Sequence, residues 1–139
     1  LDNLKYARDI CEPRGIGILI EPKNRRDIPK YFISTIEQGC EIIDLVDSKN
    51  VKLIFDFYHI QINQGDLMRN IEKYISFIGH FQIASMPQRN EPIDGEINYK
   101  WVIPQIDKLG YNGYAGAEYK PKTNTNDGIA WLKTFRQYS

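Results

Sequence analysis

An excess of charge of either sign is missing from this sequence: Lys plus Arg number 18, Asp plus Glu number 18, and the formal net charge is zero. Nucleic acids and anionic membranes select for a basic excess, so neither is the expected partner. A small-molecule site is untouched by that argument. No apolar run is long enough to cross a bilayer, and the first residues carry no signal-peptide pattern. Cysteine is scarce, with Cys11 and Cys40 alone and not in C-x-x-C spacing. Two such thiols make no disulfide framework, and the expectation is reduced, buried or half-buried thiols in a cytoplasmic protein. No G-x-G-x-x-G follows the first strand-like run. Methionine does not open the chain; Leu1 leads straight into helix-like sequence, and the expectation is that further residues precede it.

What is present suffices for a domain. Of the 139 residues, 42% are apolar and 26% charged, enough for a real core under a solvated surface. Leu4, Ala7 and Cys11 share one helical face, and Pro13-Arg14-Gly15 stops that helix. Ile16 to Ile20 is a nearly unbroken apolar run of the kind buried on both faces in parallel sheets. A loop over 23–27 leads to a helix expected from Pro29 to Val46, with Pro29 in the first turn. Val51 to Asp56 is a second strand, followed by loop through Gly65. Asp66 is the expected cap of a helix carrying Leu67, Ile71, Tyr74, Ile75 and Ile78. Gly79 should end it, and His80 to Ala84 should form the third strand. The polar stretch Ser85 to Asn98 is long for a structureless loop, and such length hints at function. A helix from Tyr99 to Leu109, a strand from Tyr114 to Glu118 and a helix from Asp127 to Phe135 complete the chain.

The order is one helix followed by four strand–helix units, which implies parallel strands. An open doubly wound sheet and a (β/α) barrel both satisfy it. Two observations favour the barrel: the dinucleotide fingerprint is absent, and every strand ends in a polar residue able to bind something. The predicted fold class is α/β, the C-terminal half of a (β/α) TIM barrel, with residues 1–139 as one unit.

The strand-end residues are Glu21, Asp56, Gln82 and Glu118. Strand C-termini are where barrel sites lie. Three carboxylates and an amide oxygen are hard ligands that suit Mg²⁺ or Mn²⁺. Taken singly, each has an ordinary explanation as a helix cap or ion-pair partner. Four in register on successive strands weaken that explanation, and a shared cation would remove their mutual repulsion and desolvation cost. His59 lies three residues after Asp56, in the loop expected to leave that strand. Arg89, in the long loop, is either a surface residue paired to Glu91 or a fork for a substrate carboxylate or hydroxyls. Phe55, Phe57, Tyr58 and Tyr119 flank these positions as packing or pocket wall.

The segments Ile20-Glu21-Pro22-Lys23-Asn24, Asp56-Phe57-Tyr58-His59, Gly79-His80-Phe81-Gln82-Ile83-Ala84, Pro87-Gln88-Arg89-Asn90-Glu91-Pro92 and Glu118-Tyr119-Lys120-Pro121 together resemble the hydroxypyruvate isomerase family of xylose-isomerase-like barrels. The resemblance runs over nearly the whole chain and matches only the C-terminal half of such a barrel. It implies that Glu21, Asp56, Gln82 and Glu118 bind a divalent metal, Mg²⁺ or Mn²⁺. It further implies that Glu21 and Glu118 form the acid/base pair and that His59 and Arg89 orient substrate. In related ketose epimerases a His commonly stands in the place of Gln82, so the Gln points toward the hydroxypyruvate branch.

The implied reaction interconverts hydroxypyruvate and tartronate semialdehyde through an enediolate, with no nicotinamide or flavin. Ketose 3-epimerases and keto-inositol dehydratases of the same fold are the competing readings. A DNA-repair endonuclease of that fold needs a His-rich zinc site, and this chain has two His, His59 and His80. A second class of reading is a non-catalytic fragment. Half a barrel leaves its sheet edges open, so self-association, or pairing with an N-terminal barrel half, is expected.

Overall fold

Four short apolar runs separated by helices become four parallel strands, ordered β1-β2-β3-β4 as in the sequence. The computed structural model describes residues 1–135, so the last four residues of the unit read as 1–139 lie outside the described residues. The strands are β1 (Ile18–Ile20), β2 (Val51–Asp56), β3 (Ile78–Ile83) and β4 (Ala115–Ala117). The helices are α1 (Asp2–Cys11), α2 (Ile36–Val46), α3 (Phe57–Asn63), α4 (Leu67–Tyr74), α5 (Tyr99–Lys108), α6 (Thr125–Gly128) and α7 (Leu132–Phe135).

Cross-strand register sorts the residues onto two faces. Val51, Leu53 and Phe55 of β2 align with Ile18, Ile20, Ile78 and Phe81, and this face is buried under helices. Gly39 of α2 lies so close to Leu53 that a methyl there would meet its Cδ2, which is how tightly α2 packs on β2. Phe55, Phe57, Phe81 and Tyr99 pack edge-on or tilted, with centroids 5.2 to 5.8 Å apart. The other face aligns Leu19 with Lys52, Ile54 with His80, and Asp56 with Gln82 and Gly116. Leu19 is exposed, and Lys52, Ile54 and His80 are only half-buried. Among the described residues β1 pairs with β2 alone and β4 with β3 alone, so each presents an open edge. The predicted half-barrel of βα units is therefore present.

Several boundaries differ from expectation. Helix α2 begins at Ile36, not Pro29. Thr35 caps it in a reciprocal capping box with Gln38, and the Gln64 side chain accepts from the Ile36 N–H. Residues 29–35 stay in loop, pinned by Asn63 Nδ2 on the carbonyls of Lys23 and Ser34, and Phe32 is exposed. The stretch after Asp56, read as loop, is α3. The Asp56 carboxylate accepts from the N–H groups of Tyr58 and His59 and starts that helix as the strand ends. Asp66 makes no side-chain cap and sits in the left-handed region. Ile78 and Gly79 belong to β3, where Gly79 fills a register shift and a methyl would strike Lys52 and Leu19. The last helix is broken into α6, a 3-10 turn and α7. Among the described residues, no helix is long and apolar enough to cross a membrane.

Candidate active site

Parallel strands in matching register put their C-terminal residues at one end of the sheet. Asp56 closes β2, Gln82 is its register partner on β3, Glu21 follows β1 and Glu118 follows β4. The Glu118 N–H continues the ladder by donating to the Ile83 carbonyl at 3.1 Å. The four predicted strand-end residues thus occupy one rim.

Asp56 is 1% exposed, and its two oxygens have separate duties. Oδ1 accepts from the backbone of Tyr58 at 2.8 Å, fixing the carboxylate to the start of α3. Oδ2 faces the rim, 3.2 Å from Arg89 Nη2 and 3.7 Å from His59 Nε2. Burial pushes the Asp56 carboxyl up to about 7; Arg89 opposes the shift and Glu21 reinforces it.

Because α3 starts immediately, His59 lies three residues along it and returns to the same point. It is fully buried, with Nε2 3.5 Å from Glu21 Oε1. Its other nitrogen, Nδ1, lies 3.2 Å from the Asn24 backbone N–H and 2.7 Å from Asn24 Nδ2. The Asn24 amide is oriented by Asp27, whose N–H donates to Asn24 Oδ1 at 2.8 Å while Asn24 Nδ2 also donates to Asp27 Oδ2 at 3.1 Å. Two donors on Nδ1 make it an acceptor, so the neutral ring carries its proton on Nε2. Burial, with Lys23 and Arg89 nearby, holds the imidazole down at about 3, so it stays neutral.

Glu21, Asp56 and His59 offer donor atoms all within 4.8 Å of one another. The spacing suits a small cation, around which neighbouring oxygens stand roughly 3 to 4 Å apart when bonds are about 2.1 Å. The His59 tautomer argues against the imidazole as a ligand, because its Nε2 presents a proton to the cluster. Better donors are the oxygens left without partners. Glu21 Oε1 and Gln82 Oε1 are buried and accept no hydrogen bond among the described residues, while Glu21 Oε2 is held by Lys23 Nζ at 2.5 Å. Buried oxygens without donors are costly unless something fills the gap. Two orphaned oxygens beside an ionisable Asp56 fit a hard divalent cation in donor chemistry.

Glu118 is less enclosed, its side chain 47% exposed, and it joins the cluster through Arg89. Arg89 Nη2 lies 3.0 Å from Glu118 Oε1 as well as 3.2 Å from Asp56 Oδ2. Arg89 therefore pairs with these two carboxylates across loops. Its guanidinium also lies over the Tyr58 ring, 4.8 Å from the centroid. Tyr58 in turn donates to Asp27 Oδ2 at 2.8 Å. Asn24 and Asp27 had no assigned role from sequence; an Asn three residues before an Asp signals a local turn, while the reach to His59 spans 35 positions.

The chain is 42% identical over 135 residues to a 2-oxo-tetronate isomerase of Cupriavidus necator, covering 97% of this chain and 52% of that protein. It is 40% identical over 136 residues to the hydroxypyruvate isomerase of Escherichia coli, covering 98% and 53%. A crystal structure described as an AP endonuclease, family 2, from Brucella melitensis superposes with a TM-score of 0.91 at 41% identity, over 96% of this chain and 52% of that one. The chain spans about half the length of the curated relatives it matches. Residues 1–135 match the family described as xylose isomerase-like TIM barrel, and with the parallel sheet and its strand-end rim this chain belongs to that family.

Proposed function

We propose that this chain is the metal-binding C-terminal half of an isomerase that interconverts hydroxypyruvate and tartronate semialdehyde. The observation that carries the reading is the convergence of Glu21, Asp56 and His59 within 4.8 Å at the strand ends, beside the unpartnered Gln82 oxygen. Relatives named for isomerisation of 2-oxo acids support the substrate class.

Glu21, Asp56, Gln82 and Glu118 would hold Mg²⁺ or Mn²⁺. When bound, the cation would supply positive charge beside the substrate oxygens, which favours loss of the neighbouring carbon-bound proton. Glu21 and Glu118 follow the two outermost strands and approach the rim from opposite flanks. One glutamate takes the proton from C3 of hydroxypyruvate and a glutamate returns a proton to C2, while the O3 hydroxyl proton passes to O2. Atoms and electrons balance without an external redox partner. His59 donates from Nε2 to a substrate oxygen, its direction set by Asn24. Arg89 releases Asp56 and Glu118 to grip the substrate carboxylate, which suits its forked donors.

The test is exchange of substrate C–H protons with deuterated solvent, followed by NMR, with product identified on hydroxypyruvate and on a ketohexose. Glu21→Gln and Glu118→Gln should each lower exchange by about a hundredfold or more. Chelation should stop exchange and Mg²⁺ or Mn²⁺ restore it. Exchange at the parent rate in both Gln variants removes the acid/base pair, and epimerised ketohexose with hydroxypyruvate untouched replaces the substrate.

A further inference from the structure

Within Pro87-Gln88-Arg89-Asn90-Glu91-Pro92, only Arg89 enters the chemistry above. Its two followers are tied to a different loop. Asn90 Nδ2 donates to the Lys120 carbonyl at 2.7 Å, the Lys120 N–H donates to the Arg89 carbonyl at 2.7 Å, and the Lys122 N–H donates to Glu91 Oε1 at 3.1 Å. Three consecutive residues of the loop after β3 are thereby stitched to the segment that begins with Glu118. The loop is also closed on itself: the Ser85 N–H donates to the Asn90 carbonyl at 3.0 Å, Ser85 Oγ accepts from the Asn90 N–H, and the Ser85 carbonyl accepts from the Arg89 N–H. Arg89 sits at φ +58, a left-handed conformation uncommon for a residue with a side chain. Such strain persists where the surroundings over-determine it. Glu91 is 6% exposed, its Oε2 has no partner among the described residues, and a methyl on Gly128 of α6 would come within 2.7 Å of Oε1. Burying a carboxylate this closely is costly unless it is hydrogen-bonded, and the Lys122 N–H offsets part of that cost at Oε1.

We infer that Asn90 and Glu91 are positioning residues that weld the loops after β3 and β4 into one unit, and that this unit sets the Arg89 guanidinium between Asp56 and Glu118. The inference rests on the reading of Arg89 as the substrate-gripping group. It goes further in assigning the geometry of that grip to two residues that touch neither cation nor substrate. Arg89 and Glu118 come from different strands, and their mutual placement must survive the exchange of a carboxylate partner for substrate.

The experiment compares Asn90→Ala, Glu91→Ala and Glu91→Gln in the full chain. The first readout is the Arg89 Nε–Hε resonance, assigned by its loss in Arg89→Lys. The second is the split between KM and kcat on hydroxypyruvate, with Mn²⁺ affinity measured alongside. Asn90→Ala and Glu91→Ala should shift and broaden the resonance and raise KM about tenfold while Mn²⁺ affinity holds. Glu91→Gln keeps the Oε1 acceptor and should restore both. A resonance unchanged in Asn90→Ala and Glu91→Ala overturns the proposal, as does a Gln variant that behaves like Ala. A parent chain that leaves hydroxypyruvate untouched removes the kinetic readout and speaks against activity of this half alone, while the resonance still decides the weld.

Discussion

Burial shifts Asp56 and His59 in opposite directions. The Asp56 carboxyl is raised from its ordinary 3.8 to about 7, so its contribution to stability is full below 3.8 and is lost as pH rises through about 7. The His59 imidazole is lowered from 6.5 to about 3, so its contribution is full above 6.5 and is lost as pH falls through about 3. Between 3.8 and 6.5 the two slopes oppose and flatten the profile. In metal-free chain, Asp56→Asn removes the first arm, so its stability relative to parent should improve as pH is raised from about 4 to 8. Urea unfolding at a series of pH values measures this, and a parent–variant difference independent of pH contradicts it. Added Mn²⁺ should reverse the order, because a cation binds the ionised carboxylate. At the same scale, Asn24→Ala leaves His59 Nδ1 without its side-chain donor. The ring nitrogen shifts of His59 should move from a pure Nε2–H form toward a mixture of tautomers, and retention of the pure form would show that the Asn24 backbone N–H suffices.

At the scale of the element, caps decided what periodicity misplaced. Pro29 fits a first helical turn on its own terms, yet the capping box at Thr35 and Gln38 starts α2 seven residues later. Thr35→Ala should cost about 1 kcal/mol in thermal or urea unfolding, the usual value of a lost N-cap. No loss would mean that Gln64, which also meets the first turn through the Ile36 N–H, carries that end alone. The apolar face of β2 and β3 was legible because strands of parallel sheets read as dense apolar runs, although helices bury only one face here and not the two expected. Helix α3 was hidden because one residue, Asp56, both ends a strand and caps a helix with no turn signal between. That economy delivers His59 to the rim, since a loop of the same length would leave the imidazole unconstrained.

The whole molecule carries a helix-covered face and an open one. Leu19, Lys52, Ile54 and His80 line the open face, and among the described residues β1 and β4 each present an unpaired edge. Apolar surface and bare backbone of this kind seek a partner. We expect the chain by itself to self-associate, with weight-average mass rising with concentration in sedimentation. A monomer at all concentrations with one cooperative calorimetric transition would contradict this.

The strand ends were determined by the sequence itself. Glu21, Asp56 and Glu118 each follow an apolar run and Gln82 stands next to the end of its strand, and parallel register then leaves them little choice but to gather at one rim. Only the tertiary structure decided how that rim is wired: the Nε2–H tautomer set by Asn24 from 35 positions away, and Arg89 shared between Asp56 and Glu118. Periodicity and propensity are local, whereas a buried hydrogen bond depends on which distant groups the packed core brings within about 3 Å.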